Sequence, residues 1–366
     1  MPQYFDGVPK YCAYGTYTHK HIPLAYKSNG DVFHVYTDNT KDDNFYVYAA
    51  KNNGEKVLVH TIENWDDPHT NAIIYVKSNG IVRVHISARG INNKFKRGYI
   101  LESKTPYELD FECIDCDLEN VEGYPQVWDT KWGLHVNYSL NMYDYDIHPT
   151  QFMRSPHYRL NDEIKQIVKG GHYYISYYDQ TNHTMYVVYN WLIDGHPDNR
   201  VKLYAIKTTD GISWTNLDGK PLILPLPENS QDAIIFAGQG YTYLKDLKFD
   251  GKLNVLFTES SSADPTKGVR YLKEWKQGEF PKTIEKTNHN YSGAAYVGQY
   301  IITTNSDRNM IGGDIVVYQD YREIYRDDSQ NCAYVRKVMN SRSDAVVSCD
   351  NFHSDGKASH YLIKIQ

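Results

Sequence analysis

Residues 66–90 read DDPHTNAIIYVKSNGIVRVHISARG. The tetrapeptide at the centre of this stretch, Lys77-Ser78-Asn79-Gly80, has a twin at Lys27-Ser28-Asn29-Gly30, 50 residues earlier. Asn-Gly pairs supply the positive φ angles that tight hairpins need. The same punctuation recurs: Asn29-Gly30 precedes the apolar run 31–36, Asn79-Gly80 precedes 81–86, and Asp250-Gly251 precedes 252–257. The chain therefore reads as a succession of β-hairpins with an internal repeat, and one histidine, His69, stands just before two of the strand-like runs.

Composition supports the same class. With 366 residues and 41% hydrophobic content the chain can bury a large core. Tyrosine is over-represented at 34 residues, beside 6 Trp and 11 Phe, and these types suit pleated, half-buried surfaces better than helix interiors. Runs such as Tyr173-Tyr174-Ile175-Ser176-Tyr177-Tyr178 and Met185-Tyr186-Val187-Val188-Tyr189 read as strands. Helical character is confined to short segments such as 161–168, which argues against a parallel sheet with crossover helices.

Strand clusters spaced about fifty residues apart fit one four-stranded sheet per repeat, and the radial arrangement of such sheets is a β-propeller of about seven blades. No linker or composition shift divides the chain, so the expectation is all-β, a single propeller domain over residues 1–366. The C-terminal strand 359–365 is expected to complete a blade begun near the N-terminus. A pair of β-sandwiches is the competing architecture.

The net charge of −6, with no basic block, gives no attraction for nucleic acid or an anionic membrane. No stretch approaches the roughly 20 apolar residues of a membrane span, and the start MPQYFDGVPKYC lacks the layout of a signal peptide. Action outside the cell or on a virion is nevertheless the expectation, as for a phage-borne depolymerase. Five cysteines leave at least one thiol unpaired. Cys113 and Cys116 form a CxxC with no second pair at zinc-site spacing, so two small residues near a strand end is the plainer reading. No cofactor is required by the sequence, and no local ligand set announces a metal.

Lys207-Thr208-Thr209-Asp210-Gly211-Ile212-Ser213-Trp214 resembles an Asp-box, the turn of sialidase-type propellers in which the aspartate binds backbone amides and the tryptophan packs beneath the hairpin. With its tail through Leu224-Pro225, it is similar to the BNR-4 repeat proteins, which include ulvan and other uronate-polysaccharide lyases and related rhamnosyl-glucuronate glycosidases. The resemblance runs from about Asp66 to the C-terminus. It is carried by Asp67-Pro68-His69-Thr70-Asn71 with Gly80, Gly123-Tyr124-Pro125 before Gly133, the box, His289-Asn290-Tyr291-Ser292-Gly293 with Gly312-Gly313-Asp314, and Ala333-Tyr334-Val335-Arg336.

That resemblance implies an active site on one propeller face, with His69 and Tyr124 in it. Two departures stand out: where the lyases often have a second histidine this chain has Arg89, and where an FYR-like strand carries an arginine it has Asn137-Tyr138-Ser139. Breaking a uronate polymer by β-elimination requires removing the C5 proton, neutralising the carboxylate and protonating the leaving O4. An imidazole takes a proton at neutral pH, a phenol donates one and a guanidinium clamps a carboxylate. His69 as base, Tyr124 as acid and Arg89 as clamp meet those needs. Arg154, Arg159, His289 and Arg336 are candidates for holding substrate charges, and the implied partner is an anionic polysaccharide or oligosaccharide. Each also has a plainer reading: His69 as a buried cap of the next strand, Tyr124 as a wall tyrosine, the arginines as structural or solvated side chains. A glycoside hydrolase, for which Asp66, Asp67 and Asp179 are possible carboxyls, and a non-catalytic glycan-binding propeller are the alternatives.

Overall fold

The computed structural model describes residues 2–4, 20–38, 44–52, 54, 56–63, 71–87, 98–118, 122–143, 152–161, 163–170, 173–193, 199–264, 267–287, 292–305, 313–350 and 358–365. The chain is predominantly β, built of antiparallel sheets in which most neighbours in sequence are neighbours in the sheet. It falls into two compact units, residues 1–125 with 291–366, and residues 126–290. Among the described residues no helix is long and apolar enough to cross a membrane.

In the first unit, Ala25–Ser28, Asp31–Asp38, Phe45–Lys51 and Lys56–Ile62 form one 4-stranded meander, and Ala72–Val76, Val82–Ile86, Gly98–Ser103 and Phe111–Leu118 form another. Their facing sides share an apolar core that includes Phe33, Phe45, Val47, Ile74, Val84 and Leu101. A 7-stranded sheet is built around the 16-residue strand Arg322–Lys337. The first half of that strand pairs with Gly313–Gln319 and its second half with Asp344–Asp350, so two meanders share one long strand. The last strand, Ala358–Ile365, takes the N-terminal strand Pro2–Tyr4 at its edge, Pro2 opposite Ile365. Both chain ends thus lie in one sheet. Leu24, Ala25 and Val32 pack on Val338, Val346 and Leu362, and Lys27 pairs with Asp344 at 3.0 Å.

In the second unit, Gly133–Tyr143, Phe152–Leu160 and Glu163–Gln166 continue the meander opened by Glu122–Thr130. A 9-stranded sheet again contains a 16-residue strand, Ile234–Phe249, paired with Arg200–Thr208 on one side and Leu253–Ser260 on the other. Here one expectation fails. Residues 163–166 are an edge strand paired with 157–160, not a helical segment. Asn161 takes φ 49° in the turn before it, and the edge of a sheet offers unpaired backbone groups that a strand satisfies at once.

The repeat has a hydrogen-bonding signature. The residue preceding the first strand of a meander accepts, through its carbonyl, the amide of a residue in or just after the second strand: Leu24 from Val35, Asn71 from Ser87, Tyr173 from Asn190 and Gly293 from Thr304, all between 2.8 and 3.0 Å. At two of these sites a hydroxyl closes the ring from the other side, because Asn71 N donates to Ser87 Oγ at 3.1 Å and Gly293 N to Thr304 Oγ1 at 2.8 Å.

Candidate functional site

The segment Lys20–Leu24 is buried along its length yet lies in no sheet. Its backbone is satisfied by three different strands: Ile22 N donates to Pro125 O at 3.1 Å, Pro23 O accepts from Ile74 N at 2.9 Å and Leu24 O accepts from Val35 N at 3.0 Å. This lacing delivers His21 to Tyr124. The rings meet edge to face with centroids 5.3 Å apart and planes at 62°, a favourable arrangement for aromatic pairs.

Beyond Tyr124 the polar connections continue. His21 Nε2 is hydrogen-bonded to Ser87 Oγ at 3.1 Å, Ser87 Oγ accepts from Asn71 N, and Asn71 Oδ1 accepts from Thr37 Oγ1 at 3.3 Å. His21, Thr37, Asn71 and Ser87 are all buried, so each bond forms where an unmade one would be costly. Tyr124 itself has φ 52°, a left-handed conformation that costs a non-glycine residue of order 1–3 kcal/mol and persists only where its surroundings fix it. It is 2% exposed.

The other expected site residues fall as follows. His69, Arg89 and His289 lie outside the described residues. The hairpin between the first two is described: the chain enters it at Asn71 and leaves at Ser87, which are hydrogen-bonded to each other. Arg154 and Arg159 share the strand Phe152–Leu160 in the second unit, opposite Asn141 and Val136 respectively. They are five positions apart, roughly 17 Å along a strand. Arg336 is buried in the strand Arg322–Lys337, opposite Val346. Of the candidate carboxyls, Asp66 and Asp67 lie outside the described residues, and Asp179 is committed to a turn, accepting from Thr181 N at 3.0 Å and Asn182 Nδ2 at 2.6 Å. Cys113 is disulfide-bonded to Cys116, and Cys332 to Cys349. Among the described residues no group of three or more His, Cys, Asp or Glu could hold a metal ion.

The turn at Asp210 is tightly bonded. Asp210 Oδ1 accepts from Ile212 N at 2.8 Å, Ser213 N at 2.7 Å and Thr208 Oγ1 at 3.0 Å, while Gly211 N donates to Thr208 Oγ1 at 2.9 Å. Partial burial pushes the carboxyl up, but the amides of Ile212 and Ser213 and the hydroxyls of Ser213 and Thr208 outweigh it and hold it at about 2. Below the turn Trp214 is buried against Tyr158, ring centroids 5.4 Å apart, and His135, 6.4 Å. This arrangement organises the hairpin.

Two features escaped the sequence. His21 was marked only by its place before Ile22-Pro23 in an N-terminal stretch outside the resemblance. In the second unit the guanidinium of Arg200 lies 4.0 Å from the Tyr173 ring centroid and 4.2 Å from that of Tyr243, with Lys245 Nζ 4.5 Å from the latter. Both cations are buried, and stacked π faces are among the few neighbours that suit them there. Nothing in the local sequence foretold this contact, because the three elements are brought together only by the sheet.

No known family model matches the chain, and no curated protein matches it in sequence. Solved structures do match. The family PL25 ulvan lyase bound to -[GlcA(1-4)Rha3S]- superposes with a TM-score of 0.70 at 13% identity, over 98% of this chain and 94% of that one. Polysaccharide lyase Uly1 superposes with a TM-score of 0.63 at 11% identity, over 94% of this chain and 90% of that one. The chain has the fold of these lyases. Identities this low speak to architecture alone.

Proposed function

We propose that this protein is a polysaccharide lyase acting on a uronic-acid-containing polysaccharide by β-elimination, on a single closed propeller of seven blades spanning residues 1–366. Two features support the propeller: the four-stranded meanders, two pairs of which share a 16-residue strand, and the N-terminal strand added to the C-terminal sheet. The bonds of Asp210 and the burial of Trp214 support reading residues 207–214 as an Asp-box of a BNR-4 repeat protein.

In this reading His69 removes the C5 proton, Arg89 clamps the uronate carboxylate and stabilises the carbanion, and Tyr124 protonates the departing O4. Arg154, Arg159, His289 and Arg336 hold further substrate charges. The observation that carries the assignment is the network from Tyr124 through His21 to the Asn71 and Ser87 pair. His69 precedes Asn71 by two residues and Arg89 follows Ser87 by two in the sequence, and this nearness along the chain supports the reading.

One observation favours a second reading. Tyr124 is 2% exposed, and a phenol so enclosed suits a wall residue of a non-catalytic glycan-binding propeller. Incubation with a panel of uronate polysaccharides separates the readings. A rise in the ultraviolet absorbance of unsaturated uronide together with reducing ends marks a lyase, reducing ends alone mark a hydrolase, and binding without either marks a glycan-binding protein. His69→Ala abolishes the signal while leaving the fold intact; undiminished turnover in that variant removes His69 from the mechanism.

A further inference from the structure

We propose, on the lyase reading above, that His21 is the positioning residue of the site. It would set the ring of Tyr124 and, through Ser87, the end of the hairpin at Asn71 and Ser87. His21 is fully buried and stands outside the part of the chain that resembles the lyases.

Three independent observations converge on it. The backbone on its C-terminal side is bonded directly beside Tyr124, Ile22 N to Pro125 O at 3.1 Å, and one residue further to the hairpin strand, Pro23 O from Ile74 N at 2.9 Å. The imidazole packs on the Tyr124 ring at 5.3 Å. Its Nε2 is 3.1 Å from the Ser87 hydroxyl, which also receives the Asn71 amide. Histidine combines a flat ring for the tyrosine with a polar edge for the serine; phenylalanine supplies only the first and glutamine only the second. Tyr124 needs such a support, because its φ of 52° is not one a tyrosine keeps unaided.

His21→Phe keeps the ring and loses the bond to Ser87, whereas His21→Gln keeps a donor and acceptor within reach of Ser87. On the uronate polysaccharide that the wild type cleaves, His21→Phe is expected to lower kcat about tenfold or more with KM within about twofold, the signature of misplaced reacting groups. His21→Gln, which keeps the bond to Ser87 but loses the ring beside Tyr124, is expected to have a kcat between those of His21→Phe and the wild type. Equal kcat in His21→Phe and wild type overturns the proposal, as does a loss accounted for by a smaller folded fraction in circular dichroism. Amide hydrogen exchange at Asn71 and Ser87 gives a readout that needs no turnover. Faster exchange at both in His21→Phe supports the positioning role and unchanged exchange overturns it. Faster exchange in a protein whose wild type cleaves no uronate polymer overturns the lyase reading alone.

Discussion

His135 provides a quantitative test of the packing beneath the Asp210 turn. Its ring stacks on Tyr158 at 5.0 Å with planes 8° apart, and its Nδ1 lies 3.3 Å from the Asn137 side-chain amide, which donates to it. A proton on Nδ1 would set two donors face to face, and the burial of the ring disfavours charge in any case. Burial pushes the imidazole down from 6.5 to about 3. The unfolded chain therefore binds this proton at a pH where the folded chain does not. The stability contribution is fully present above 6.5 and is lost progressively as the pH falls towards 3. Going from about pH 8 to about pH 5, the loss assigned to this one group is about 2 kcal/mol. His135→Phe keeps an aromatic ring in the stack and removes the titration. Urea unfolding of both proteins at the two pH values measures the difference, and the other histidines that burial pushes down, His34, His60 and His157, act in both proteins and cancel. The variant should lose about 2 kcal/mol less than the wild type over this interval. An equal or larger loss in the variant would show that His135 is protonated in the folded protein and that the reasoning is wrong.

Asp210→Ala removes the acceptor of Ile212 N, Ser213 N and Thr208 Oγ1 and should cost about 2 kcal/mol in urea unfolding near neutral pH. Because this carboxyl is held at about 2 against an ordinary 3.8, the difference from wild type should be present above 3.8 and vanish as the pH falls towards 2. Replacing Cys332 and Cys349 together by alanine opens a cross-link over 17 residues of sequence and should lower stability by about 3 kcal/mol; coincident unfolding curves would show that the cross-link contributes nothing. Gly293→Ala places a Cβ 2.8 Å from Val335 N and 2.9 Å from Thr304 Oγ1 and should cost about 1–3 kcal/mol. Gly54→Ala, with open space around it, is the control that should leave the unfolding midpoint in place.

Much of the strand content was legible because it is written in short-range patterns. The run 185–189 lies in the strand Thr184–Leu192, and the run 173–178, apart from Tyr173, lies in Tyr174–Asp179. Asn29-Gly30, at φ 50° and 86°, makes a two-residue hairpin with Ser28 opposite Asp31. The twin tetrapeptide makes a different turn. There Val76 pairs with Val82, and Gly80 sits against the ring of Tyr107, whose amide donates to Gly80 O at 2.8 Å. Identical residues thus took two shapes, because a distant tyrosine occupies the second turn. Residues 161–168 erred in the other direction: Ile164, Ile167 and Val168 have helical spacing, but an available sheet edge fixed the segment as a strand and left Ile164 44% exposed.

For the proposed site, Tyr124 was named from its Gly-Tyr-Pro setting, but its ring contact with His21 was not foreseen. His21 is 66 residues from Ser87 along the chain, and no spacing rule links them. What the sequence by itself determined was the local geometry: strand alternation, hairpin turns and the Asp210 turn, all of which depend on bonds between residues a few positions apart. What only the tertiary structure decided was the company each side chain keeps, His21 with Tyr124, Arg200 with two tyrosines and Gly80 with Tyr107. Those contacts arise from burying apolar area and satisfying backbone groups between sheets, and such forces act on neighbours in space regardless of their order in the chain.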